Sequence, residues 1–253
     1  MKSTKSLHKH LLLGGIASLL FAATASATLT FDLRATQLNG VPVADGKNVI
    51  ITQANDVITF ALFADVTGTN ALATEGFQTM LTGGVVSTAN GGIRGTMEGP
   101  ALSGNFGATG SAAGTLQDLN ADGFTDLGSN NAAFVQGQHV TANAAAMEIG
   151  LPTGTSEFQL FTFQFRVVSI PTPGSSINVS FRMINVTGLG NELVWREDGV
   201  TKSTKDPITG FSTAGYTVNA TALSVPEPSA FGMLALGALG LVGFRRMGLR
   251  RTA

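Results

Sequence analysis

Apolar and polar residues alternate with a period of two along much of this chain, and that period confines it to β-structure. In residues 29–34 (LTFDLR), Leu29, Phe31 and Leu33 fall on one side and Thr30, Asp32 and Arg34 on the other, giving a strand one buried and one wet face. Residues 56–64 (DVITFALFA) are apolar on both sides and suit a central strand. Phe161, Phe163, Phe165 and Val167 repeat the alternation, as do Ile177, Val179, Phe181 and Met183, then Tyr216, Val218, Ala220 and Ala222. Turn chemistry separates these runs at Asn39-Gly40, Asp45-Gly46, Pro171-Thr172-Pro173-Gly174 and Asp198-Gly199. The last of these, between residues 193–196 and 200–203, predicts a two-residue hairpin. A sustained helical period is confined to the two ends. The expectation is an all-β domain, an antiparallel β-sandwich of jelly-roll type.

That domain spans residues 28–225, long enough for one substantial core. It holds 8 Lys and Arg against 15 Asp and Glu, a net charge near −7 that the whole-chain value of −1 conceals. Such a surface disfavours nucleic acid and anionic lipid and suits a protein that stays soluble outside the cell. Cysteine is absent, which excludes disulfides, thiolate metal sites and cysteine nucleophiles.

The ends carry addressing information. Lys2, Lys5 and Lys9 precede an apolar run at 11–23, and Ala25-Ser26-Ala27 supplies small residues for cleavage. Together they predict a signal peptide over 1–27 and a mature N-terminus at Thr28. At the other end Pro226-Glu227-Pro228 leads into an uncharged stretch, 229–244, stopped by Arg245 and Arg246, with Arg250 and Arg251 following. As a helix those 16 residues span roughly 24 Å, slightly less than the ~30 Å hydrocarbon layer, and snorkelling arginines close the gap. Basic residues after the apolar run leave the C-terminus cytoplasmic and the domain outside. Pro226 and Pro228 each fix φ and remove an N–H, so the segment ahead of the membrane stays extended and accessible. Taken alone, this is a single transmembrane anchor. In its three-part order the tail, residues 226–253, resembles the PEP-CTERM sorting signal of Gram-negative bacteria. The resemblance implies an exosortase as processing partner, with Pro226, Glu227, Pro228, Arg245 and Arg246 as the sorting motif. It also implies delivery to the cell envelope, cell surface or extracellular matrix.

Residues 56–64 followed by Glu75-Gly76-Phe77-Gln78 resemble the early strands of cohesin-like sandwiches, where a D-x-I-x-F strand leads into a G-F-Q strand. Residues 158–168 and 177–185 resemble the later pair of such domains, joined by a Pro/Gly turn. The resemblance covers most of 48–187 and implies a jelly-roll arrangement with an adhesive or carbohydrate-associated role. Between the strand groups, residues 90–114 hold eight glycines and predict a long mobile loop or poorly ordered strand edges, within a loop region of 90–130.

One stretch has metal-ligating spacing. Asp118, Asn120, Asp122 and Asp126 stand at positions 1, 3, 5 and 9, Gly123 at 6 and Phe124, through its carbonyl, at 7. A hard cation needs several oxygens converging from one tight turn, and this order supplies them. The loop resembles those of dockerins, which implies Ca2+, except that position 12 is Ser129 where those families place a bidentate carboxylate. The competing reading is an Asx-turn closed by its own backbone.

Catalytic residues are sparse. Past the signal peptide the sole histidine is His139, and no G-x-S-x-G elbow accompanies it. Glu148, Glu157, Glu192 and Glu197 are the carboxylates from which a glycosidase pair would come, although Glu192, Glu197 and Asp198 read most simply as hairpin edge charges. Sugar platforms use exposed Trp or Tyr. Trp195 is the one indole and the candidate ligand-binding residue, and Tyr216 sits on an apolar face. The expectation is therefore a non-catalytic structural or adhesive protein of the envelope or exopolysaccharide matrix. A carbohydrate-binding module is the alternative, and a glycan-active enzyme stands third.

Overall fold

The computed structural model describes residues 28–70, 74–82, 84–90, 92–128, 138–142, 148–150, 154–182, 193–204 and 211–223. These residues form strands, turns and bends without a helix. The expected signal peptide, Met183 and the C-terminal apolar segment lie outside them.

The first sheet runs in the order β16 (Phe211–Gly215), β1 (Thr28–Leu38), β4 (Val57–Thr67), β12 (Thr155–Ser169), β7 (Arg94–Leu102), with β2 (Val41–Pro42) turned back on β1. The second runs β3 (Asn48–Ile51), β17 (Thr217–Ala222), β13 (Ser176–Arg182), β6 (Gly84–Asn90), β9 (Asp126–Gly128), β8 (Leu116–Gln117). The third runs β10 (Gln138–Thr141), β5 (Gly76–Thr82), β14 (Leu193–Glu197), β15 (Val200–Thr204), with β11 (Glu148–Ile149) on β5. The first sheet forms one layer. The second and third, linked through β5 and β6, cover its inner face.

Phenylalanine holds the layers together. Phe31 of β1 meets Phe181 of β13 at 5.5 Å and Phe77 of β5 at 6.0 Å between ring centroids, so one ring contacts both covering sheets. Phe60 and Phe163 stack at 5.1 Å across β4 and β12. Such pairs add about 0.5–1.5 kcal/mol each beyond the area they bury. Residues 56–64 form a central strand as their pattern predicts, because β1 and β12 pair with β4 along almost its whole length.

Three expectations need correction. The sandwich is mixed, not wholly antiparallel: β16 lies parallel to β1, and β3 parallel to β17. No tight hairpin joins either pair, so turn geometry does not dictate their direction. The Pro171–Gly174 turn carries the chain from β12 in the first sheet to β13 in the second, so those strands do not pair. Part of the glycine-rich stretch is an edge strand, β7, bonded to β12 with two register shifts along its length. Gly95 makes that possible, since a Cβ there would overlap the Phe165 ring.

β12 also buries more than its alternation predicts. A register shift between Gln159 and Phe161 turns Phe158 and Leu160 inward along with Phe161, Phe163, Phe165 and Val167. One bulge therefore recruits two apolar sets to a single core.

Candidate functional site

The loop with calcium spacing joins β8 to β9. Its turn is closed from within, as Asp118 Oδ2 accepts from Gly123 N at 2.8 Å, Asn120 Oδ1 from Asp122 N at 3.1 Å, and Asp122 Oδ1 from Phe124 N at 3.0 Å. Gly123 (φ +87°) and Ala121 (φ +61°) take the left-handed conformations that the turn requires. The Gly123 N–H holds the Asp118 carboxyl below its usual range, so it stays ionised. Asp126 behaves differently. It is fully buried, and its carboxylate accepts from Ser87 N and Oγ and from Leu119 N, fastening the loop to β6. Burial pushes the Asp126 carboxyl up, and the Ser87 and Leu119 N–H groups pull it partly back. Asn120 Nδ2 donates to the Ser87 carbonyl at 2.6 Å, and Arg94 reaches Asp122 at 3.4 Å. Among the described residues no group of three or more His, Asp or Glu side chains converges to hold a metal ion. The oxygens that the spacing singles out are engaged mostly as acceptors for N–H groups.

A second cluster was not legible in the sequence. On the outer face of the first sheet, Arg34 of β1 is ion-paired with Asp32, with Asp65 of β4 and with Glu157 of β12, the last at 2.6 Å. Lys47 adds a further pair to Asp32, and the Arg34 guanidinium lies 4.6 Å from the Phe63 ring centre. Asp65 and Glu157 are direct cross-strand partners. Asp32, Arg34, Asp65 and Glu157 are ordinary outward positions of alternating strands, and only the register brings them together.

Burial, then the charge of Glu157, pushes the Asp65 carboxyl up to about 6 despite Arg34. Between about pH 4 and pH 6 the folded state therefore holds a proton on Asp65 that the unfolded chain, with an ordinary value of 3.8, has released. The resulting stability is complete below about pH 4 and is lost as pH rises through 6. With solvent screening, about 1 kcal/mol is expected. Urea unfolding at pH 4.5 and 7.5 checks this by comparison of wild type with Asp65→Asn. The variant is expected to lack that fall, and equal pH slopes in both proteins would count against it.

Trp195 is packed. It is 5% exposed, belongs to the core cluster, and donates Nε1–H to Glu197 Oε1 at 2.5 Å. Glu197 is therefore a buried acceptor and not the edge charge its place in the hairpin suggests; its spacing of two from Trp195 is the signal for a shared face. Glu75, also buried, accepts from the Asp198 N–H at the hairpin turn. Asp56 caps the turn before β4, accepting from Asn39 Nδ2, Thr52 N and Gln53 N. Burial opposes its charge, but these donors prevail and hold the carboxyl below its ordinary range. Glu157 stands in one layer, Glu148 and Glu197 on β11 and β14 of the other, and Glu192 lies outside the described residues. His139 stands on β10, opposite Leu81.

Pro226, Glu227, Pro228, Arg245 and Arg246 also lie outside the described residues. What their order means comes from comparison with known proteins. No curated protein matches the chain. Residues 224–246 match a family model described as the PEP-CTERM protein-sorting motif. The match begins directly after Leu223, where the last described strand has ended. The chain is thus a β-rich domain followed by a PEP-CTERM sorting motif, which implies processing by an exosortase and export to the cell envelope or surface.

Proposed function

We propose that this protein is a non-catalytic structural or adhesive component of the cell envelope or extracellular matrix, delivered there through its C-terminal sorting motif. The observation that carries this reading is the tail, where a proline-bracketed glutamate, a short apolar segment and an arginine cluster coincide with a matched sorting motif. The domain supports it. Its one indole is spent on the core, and its buried carboxylates serve as acceptors that tie turns and strands together. Fractionation of cells carrying wild type or Glu227→Ala tests it. Wild type is expected to leave the inner membrane and the variant to remain there.

Calcium is a further part of the reading. Asp118, Asn120, Asp122 and the Phe124 carbonyl are the proposed ligands, with Asp126 holding the loop to β6 through Ser87 and not facing the ion. The ionised Asp118 carboxylate on an exposed turn favours the ion, since a carboxylate has lone pairs beyond the N–H groups it accepts. The absence of a carboxylate at Ser129 makes affinity weak, of the order 10⁻⁴–10⁻³ M, as in other extracellular modules. Tenfold excess of ion over Kd should stabilise the fold by about 1.4 kcal/mol. Melting in EDTA and in calcium, for wild type and Asp122→Ala, is the measurement. An unchanged wild-type Tm would reduce the loop to an Asx-turn that fastens β9.

A further inference from the structure

At the end of the domain where the chain leaves for its tail lies a cleft of about 320 Å³. Leu223, the last described residue, is part of its wall, with Ala54, Ile170, Pro171, Thr172 and Pro173. None of the nine lining residues carries a charge, in a domain whose net charge is near −7. Beside it Ile50, on β3 next to the end of β17, is 50% exposed, and Leu223 itself is 48% exposed. The turns at 52–54 and 171–173 are exposed as well. This end of the domain thus carries an uncharged cleft of mixed polar and apolar lining, flanked by two exposed aliphatic side chains.

Chain length decides what that end can face. Five residues separate Leu223 from the apolar segment that starts at Ser229. Fully extended they span about 20 Å. While the segment is in the membrane, the cleft is held within that distance of the bilayer surface. The geometry points to this cleft, with Ile50 and Leu223, as the face that rests on the lipid interface while the precursor is anchored; the inference rests on the reading of 229–244 as a membrane segment. The charge pattern favours lipid. An acidic surface is repelled by anionic headgroups, whereas an uncharged rim of proline, isoleucine and leucine can enter the headgroup region. Tethering makes the contact intramolecular in effect, so a small patch suffices. The expected consequence is a fixed orientation, with the residue-224–228 segment held at the bilayer surface where a membrane-embedded processing enzyme works.

Cysteine is absent from the chain, so single-cysteine labelling with an environment-sensitive dye needs no background removal. The full chain is exported with its leader in a host lacking an exosortase, recovered with its tail, and placed in phosphatidylethanolamine–phosphatidylglycerol vesicles containing spin-labelled quencher lipid. Probes go at Ala54→Cys and Thr172→Cys in the cleft and at Leu236→Cys in the apolar segment. A fourth goes at Thr69→Cys, beyond the far end of β4, about 35 Å away at strand rise. The expected result is quenching at residues 54 and 172 at least about twofold above residue 69, with strong quenching at residue 236. Quenching at 236 with residues 54 and 172 no different from 69 would overturn the inference and leave the anchor standing. No quenching at 236 would overturn the anchor reading and the inference with it. Shielding of 54 and 172 in native membranes but not in pure lipid would overturn lipid in favour of a protein partner.

Discussion

Trp195→Ala is expected to destabilise the domain by about 3–5 kcal/mol, the range for emptying a core aromatic site. The side chain is 5% exposed on β14, which lies between β5 and β15, so neighbouring strands limit how far the site can collapse. Removing the indole also takes the Nε1–H donor from Glu197, leaving a buried carboxylate to find water or another partner. Trp195→Phe restores volume but not the donor, and the difference between the two variants isolates the hydrogen bond. Urea unfolding provides the comparison, and intrinsic fluorescence of the wild type should not respond to added polysaccharide. An unchanged unfolding midpoint in Trp195→Ala, together with loss of saturable polysaccharide binding, would turn the domain into a sugar-binding module.

Local chemistry was the part of the fold written openly in the sequence. Asn39-Gly40 and Asp198-Gly199 form two-residue hairpins with positive φ at both positions, as their residue types require. The inward sets of β1, β13 and β17 follow their alternation. Non-local pairing was hidden. The parallel partners of β1 and β17 come from distant parts of the chain, and nothing in a period of two specifies direction. The β12 bulge breaks the period in the middle of a strand and so disguises Phe158 and Leu160 as part of a different face. In the glycine-rich stretch, composition argued for a loop because the space that Gly95 leaves for Phe165 is a tertiary fact. The candidate sites show the same division. Spacing located the 118–126 turn, but it could not tell that Asp126 points inward to Ser87. The Asp32, Arg34, Asp65 and Glu157 cluster depends wholly on register.

Glu227→Ala should have the largest effect on where the protein goes. If Pro226-Glu227-Pro228 is recognised, removing the carboxylate leaves the apolar segment and the arginines intact but deprives the processing enzyme of the one charge between the prolines. The precursor is then expected to insert normally and accumulate in the inner membrane, a nearly complete block and not a graded loss. The substitution lies beyond the last described strand, so the domain itself should melt as wild type does.

Delivery through the tail is tested most directly by the intact mass of the protein recovered from the surface or medium of exosortase-bearing cells. The expected species begins at Thr28 and ends near Pro226, and it is absent from cells carrying Glu227→Ala. A wild-type protein found only in the inner membrane with its tail complete to Ala253, or a Glu227→Ala protein processed like wild type, would contradict it and leave a plain membrane anchor.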